Sequence, residues 1–271
     1  MQADSDFENG SLKTCDYYSR NTKKHLQYRV LMKKKDIIGK ALLDFQQGNY
    51  TEDIITETSI SEEDTLPLPY FFRSYDEMPP IEQKALQLAR GKVLDVGCGA
   101  GSHALYLQCE KKLEVTAIDT SPGAVEVCRE RGVKQVLVQD VMQYDNEKFD
   151  TVLLLMNGLG ICGRLKNISG FLNHLRTLLR PGGQILLDSS DIIYMFDGDD
   201  DGGRWIPSYP DYYGEIEFQM RYKKEQSNNF PWLYADYNTL QNAAISNGFG
   251  CELILEGAHY DYLARLQDIP G

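Results

Sequence analysis

The residues from Val93 to His103, VLDVGCGAGSH, are the most chemically specific in the chain. Gly97, Gly99 and Gly101 alternate with other residues directly after a short aliphatic run. Glycine accepts positive φ and lets a ligand come close to the backbone. A helix that opens immediately afterwards presents unpaired N–H groups to the same space. Spacing and charge then separate two kinds of nucleotide loop. A dinucleotide fingerprint reads G-x-G-x-x-G, and its last glycine would stand where this chain has Ser102. Asp95 lies two residues before the first glycine. A carboxylate beside a diphosphate is unfavourable, but beside an ammonium or a sulfonium it is favourable. The pattern disfavours an NAD(P)-dependent oxidoreductase and favours a cationic cofactor.

The elements that must position this loop follow from periodicity. From Lys92 onward, short aliphatic strands alternate with helices. KVLDVG, EVTAIDT, KQVLVQD, FDTVLLLMN and QILLDSS read as strands, and SHALYLQCEK, SPGAVEVCRERG and ISGFLNHLRTLLR as helices. Ser121 is expected to cap its helix and Gly132 to stop it. Such alternation predicts a mostly parallel sheet with helices on both faces. CELILEG and YDYLARLQ form a closing hairpin around Ala258 and His259, which adds one antiparallel strand. Upstream, a helical pattern runs from about Cys15 to Phe45, and IEQKALQLAR forms another helix after Pro79 and Pro80. Residues 1–12 are expected to be disordered and LPLPYFFRSYDEMPP extended. The predicted organisation is an N-terminal helical arm and lid over 1–78. A core over 79–271 follows, carrying a β-rich cap insertion at about 193–236.

At this level the chain resembles the class I S-adenosylmethionine-dependent methyltransferases. LDVGCGAG is similar to that family's D-x-G-x-G-x-G motif, and VTAIDTS, VQDV, FDTVLLLMNGLG and LLRPGGQILLD follow in the family's order. The resemblance spans about residues 80 to 267. It implies an α/β, Rossmann-like, seven-stranded mostly parallel sheet, with S-adenosylmethionine as cofactor and S-adenosylhomocysteine as product. It implies that Asp119 accepts from both ribose hydroxyls, that Asp140 accepts from the adenine amino group, and that the Val141 N–H donates. The remaining expected cofactor contacts are Tyr70, Phe72, Arg73, Asp95, Gly97, Cys98, Gly99, Gly101, Thr120, Met156 and Asn157, with Arg73 directed to a carboxylate.

The acceptor is less legible. Two aromatic-rich segments suit walls around it. One is Tyr70, Phe71, Phe72 and Arg73; the other runs from 193 to 237 and holds Tyr194, Trp205, Tyr212, Tyr213, Trp232 and Tyr234. His259, Asn157 and Tyr70 are the candidate catalytic groups, His259 because imidazole titrates in the right range for a general base. The strand-four motif D/N-P-P-Y/F of DNA-adenine methylating relatives is absent, since Asn157 is followed by Gly158, Leu159 and Gly160.

Charge narrows the partners. The net charge is −12 at pH 7, which is wrong for general binding to a phosphate backbone. A small-molecule acceptor methylated at O or N is expected, nucleic acid is disfavoured, and a homodimer through the insertion is an open alternative to a substrate cap. A silent cofactor-binding module on the same fold is the rival reading. Six cysteines without a C-x-x-C pair suit free thiols in a cytoplasmic protein, and no membrane span is expected. Asp197, Asp199, Asp201 and Gly202 begin a calcium-loop pattern, but its twelfth position is Ser208 rather than Glu, so no metal is expected.

Overall fold

The computed structural model describes residues 35–269 except 197, 199–203 and 207–210. The expected helix upstream of residue 35, the disorder of 1–12 and the acidic calcium-like loop lie outside the described residues. Among the described residues the first element is α1 (Ile37–Gln46), then strands β1 (Ile54–Thr58) and β2 (Asp64–Leu66). Helix α2 (Pro80–Leu88) leads into β3 (Lys92–Val96), α3 (Ser102–Cys109), β4 (Glu114–Asp119), α4 (Pro122–Arg131) and β5 (Val136–Val138). β6 (Phe149–Leu154), α5 (Ile168–Thr177) and β7 (Leu179–Ser190) complete the parallel strands. β8 (Glu215–Tyr222), β9 (Glu225–Gln226), β10 (Phe230–Leu233), α6 (Tyr237–Ser246), β11 (Phe249–Glu256) and β12 (Asp261–Asp268) follow.

The main sheet has the order β11-β12-β7-β6-β3-β4-β5, with β12 antiparallel to both neighbours. This is the Rossmann-like sheet the sequence predicts. Alternation along β3 sends successive side chains to opposite faces. Leu94 and Val96 join the core that α5 and α6 cover, together with Phe149, Phe171 and Leu175. Val93 joins the core under α2 and α3, with Ala104, Leu107 and Val115. The chain order reverses at β3: β4 and β5 lie on one side and β6 and β7 on the other. A crevice at such a switch point is where open α/β sheets bind ligands.

The N-terminal segment is not only helical. β1 and β2 pair with the insertion to make a second sheet, β10-β8-β1-β2, with β9 on β8. Arm and insertion therefore form one structure. The stretch expected to be extended instead makes two 3-10 turns, over Leu68–Phe72 and Tyr75–Glu77. Pro67 and Pro69 fix φ in the range such turns share, and Ser74 with Glu77 forms a capping box. Helix α4 has Ser121 as its N-cap and Gly132 as its stop, at φ +94.

The arm docks on the core through two helices in near backbone contact. A Cβ placed on Gly123 in α4 would lie 2.6 Å from the Gly39 backbone of α1. One carboxylate, Asp36, accepts from Gly39 N and from Gly123 N, each at 2.9 Å, so it caps both helices. Gly123→Val should force α1 off α4. Overpacking of this kind costs about 1–3 kcal/mol. We expect a lower melting temperature and faster proteolytic cleavage between 46 and 54, without loss of the main-sheet circular dichroism. Among the described residues no helix is long and apolar enough to cross a membrane.

Candidate active site

The glycine loop leaves β3 with φ values of +72, +52 and +81 at Gly97, Gly99 and Gly101. Its path is fixed by the neighbouring strand. Gly97 N and Cys98 N both donate to Ile118 O, at 2.9 and 3.1 Å. Gly99 N donates to Asp119 Oδ2 at 3.0 Å, and Ser121 N donates to Asp119 Oδ1 at 2.9 Å. Gly101 is required by packing as well as by φ. A Cβ there would meet Cys128 Sγ at 2.8 Å and Val133 at 2.9 Å. The Cys98 side chain points away from the loop mouth into the same packing, its sulfur 3.7 Å from that of Cys128. The hydrogen bond with Cys128, and burial after it, raise the Cys98 thiol pKa well above its ordinary value.

Over the loop lies the 68–77 segment. The Ser102 hydroxyl donates to Phe71 O at 2.8 Å, and a Cβ on Gly99 would touch the Phe71 ring at 3.5 Å. Phe72, expected at the cofactor, instead packs on Phe45 at 4.5 Å between ring centres and against the Arg131 guanidinium. Phe71 is the ring next to the glycines. The 3-10 turn decides which of the two adjacent rings faces the loop. Tyr70 is partly exposed and lies flat on Arg73, whose guanidinium carbon is 3.3 Å from the ring centre.

A charged network that the sequence did not reveal runs behind the loop. Arg73 Nη2 donates to both oxygens of Glu82 at 2.8 Å, and His103 Nε2 is 2.7 Å from Glu82 Oε2. Glu82 and His103 are buried, as is Asp95, whose Oδ2 has no partner. Arg73 Nε and Nη1 are likewise buried and unpaired. Burial alone would raise the Glu82 pKa, but His103 and Arg73 hold it below the ordinary value. Burial would lower the His103 pKa, but the Glu82 hydrogen bond and the Asp95 and Glu82 charges raise it. Asp95 is pushed up by burial. Buried polar groups are normally paired, so the unpaired donors of Arg73 and the unpaired acceptor of Asp95 call for a partner. Donors for an anion next to an acceptor for a cation match an amino-acid zwitterion.

The residues expected to contact adenosine lie along the neighbouring strands. Asp119 ends β4, and burial raises its pKa to about 6 against the two N–H bonds it accepts. Thr120 beside it is exposed. Asp140 follows β5, half-buried, and its Oδ1 accepts from Met142 N at 2.9 Å. Val141 is buried, and its carbonyl is 2.7 Å from His174 Nε2.

On the other side of β3, Met156 and Asn157 both take left-handed conformations, at φ +64 and +57. Each costs about 1–3 kcal/mol for a non-glycine residue, so surrounding contacts must hold them. Asp188, at the end of β7, does so: its Oδ1 accepts from Gly158 N at 2.9 Å. Burial raises its pKa to about 6, opposed by the Gly158 and Asn157 N–H bonds. Asn157 Nδ2 reaches Leu233 O at 3.4 Å, whereas its Oδ1 is buried with no partner.

His259 does not join this group. Its hairpin turns at the carboxyl ends of the strands, as expected, since Asp261 pairs with Ser190. β12 is nonetheless three strand positions from β3, about 14 Å at ordinary strand spacing. The His259 side chain is exposed, and only its backbone N–H is engaged, by Asp261.

A glycine loop at the switch point, flanked by acids at β3, β4 and β5, defines a Rossmann-like site for a nucleoside carrying an amino-acid tail. Comparison with known proteins agrees. A family profile described as a methyltransferase domain matches residues 93–183. The crystal structure of a SAM-dependent methyltransferase from Bacteroides fragilis, in complex with S-adenosyl-L-homocysteine, is 46% identical. The match covers 87% of this chain and 96% of that one, with a TM-score of 0.81. A ubiquinone biosynthesis O-methyltransferase of Xanthomonas euvesicatoria is 32% identical over 38% of this chain and 45% of its own length. A probable (S)-tetrahydroprotoberberine N-methyltransferase of Papaver bracteatum is 30% identical over 36% of this chain and 28% of its own. The matches to these two curated relatives thus span less than half of either protein's length. The chain belongs to the class I S-adenosylmethionine-dependent methyltransferases, whose methyl donor is S-adenosylmethionine.

Proposed function

We propose that the protein transfers the methyl group of S-adenosylmethionine to a small molecule at nitrogen or oxygen. One observation carries the reading: Asp95 Oδ2 and Arg73 Nε and Nη1 are buried without partners, Glu82 bonds both Arg73 and His103, and the Asp95 charge acts on His103. In this reading Asp95 holds the methionyl ammonium and Arg73 the carboxylate. Asp119 accepts from the ribose hydroxyls, and Asp140 with Val141 N–H recognises the adenine. The backbone of Gly97, Gly99 and Gly101 lies under the ligand, with Phe71 and Tyr70 closing over it. Bound there, the cofactor supplies an electrophilic methyl on a sulfonium. The chain aligns the acceptor in line with it and excludes water, which supplies much of the rate in a displacement.

Calorimetric titration separates the cofactors. S-adenosylmethionine and S-adenosylhomocysteine should bind, and NAD should not. Binding of NAD alone would overturn the reading. A methylated small molecule, formed from labelled cofactor and a metabolite extract, would distinguish an enzyme from a silent module.

A further inference from the structure

We propose that Asn157 Oδ1 and the Asp188 carboxylate receive the N–H groups of an amine, so that the methyl acceptor is nitrogen. This rests on the cofactor site proposed above. With Asp119 and Asp140 on the β4–β5 side and Asp95 at β3, the reacting end of the ligand faces the ends of β6 and β7. Asn157 and Asp188 stand there. The Asp188 carboxylate feels the charges of Glu82 and His103. Trp232 backs the turn so closely that a Cβ on Gly160 would fall 1.9 Å from its Nε1.

The donor–acceptor inventory selects the nucleophile. Asn157 Nδ2 is spent on Leu233 O, so what the residue offers is its unpaired Oδ1. Asp188 offers only acceptors when ionised. A primary amine brings two N–H donors and keeps a lone pair for the methyl carbon. An alcohol brings one, and would leave an acceptor facing its lone pairs. Charge points the same way. As the nitrogen lone pair forms the N–C bond, the C–S bond breaks with its pair going to sulfur, and the positive charge moves to nitrogen. The Asp188 carboxylate suits that cation. The methylammonium formed holds its N–H protons on Asn157 and Asp188 and gives one to water after it leaves the site.

Sinefungin tests this, because it carries an amine where the cofactor carries its methyl-bearing sulfonium. Wild-type protein should bind sinefungin at least tenfold more tightly than S-adenosylhomocysteine in calorimetric titration. Asn157→Gly keeps the left-handed conformation without the acceptor, and Asp188→Asn keeps a hydrogen-bonding oxygen without the charge. Each should bring the affinity ratio toward one. Equal affinities in the wild type, or a ratio unchanged in both variants, would overturn the assignment and leave the cofactor site standing. Failure of both ligands to bind would instead remove the cofactor reading on which it rests. With methyl-labelled cofactor and a metabolite extract, an N-methyl product supports the proposal, and a methyl ether refutes it.

Discussion

An Asp119→Ala variant should bind S-adenosylhomocysteine at least about a hundredfold more weakly than the wild type, because hydrogen bonds to a charged acceptor contribute about 1.5–3 kcal/mol each. Two losses combine in it. The ribose hydroxyls lose their acceptor, and Gly99 N and Ser121 N lose the oxygens that hold the loop in place. Asp119→Asn separates them, since it keeps an acceptor oxygen but not the charge. The carboxylate titrates at about 6, raised by burial, so wild-type affinity should fall as the pH drops below that value. The Asn variant should bind with a flatter pH profile. Affinity retained in the Ala variant would remove Asp119 from the site.

Glu82→Ala is expected to damage both stability and binding. It leaves Arg73 and His103 buried and close together without their shared anion, and breaking a buried pair typically costs about 3–5 kcal/mol. For a chain of this size each kcal/mol lowers the melting temperature by about 2–4 °C. The sign with pH follows from the two shifts. The Glu82 contribution is present above its ordinary value of 4.5 and is lost as acid takes the pH down through the folded value. The His103 contribution is present below its ordinary 6.5 and is lost as the pH rises through its raised folded value. The penalty of the variant should therefore be largest between about pH 5 and 6.5 and smaller in alkali. Cofactor affinity should fall too, because Arg73 loses the carboxylate that orients it. A melting curve unchanged by Glu82→Ala would show that the pair contributes nothing.

How far these residues can be read from sequence depends on where their partners come from. The strands are legible because uninterrupted aliphatic runs have few other uses, and Ser121 and Gly132 cap α4 by purely local geometry. Asp95 and Asp119 are legible because an acid at the end of a buried strand is unusual. Asp188 has that same signature in LLDSS and is missed only because no glycine loop follows it. Glu82 is different. In IEQKALQLAR it reads as a solvent-facing helix acid, and only folding brings Arg73 and His103 to it. The pairing that joins arm to insertion in the second sheet is hidden for the same reason: Ile55 pairs with Arg221, and no local pattern records a partner so distant, although the strand alternation of YGEIEFQMRYK is itself legible. The choice of Phe71 over Phe72 rests on a short 3-10 turn whose phase is not written in the residue types.

That second sheet bears on how the chain emerges from the ribosome. The Tyr222 hydroxyl donates to Asp44, 178 positions earlier, and β1 finds its long neighbour only in β8. At a synthesis rate of about 5–20 residues per second, β1 waits roughly ten seconds or more before its partner strand exists, although α4, on which α1 docks, is made much earlier. Throughout that interval β1 and β2 are at most an isolated hairpin, which is marginal in water. The strands from β3 to β7, with their helices, are complete well before then. We therefore expect a nascent chain stalled before residue 215 to leave β1 available to chaperones, and one extended past residue 222 to protect it.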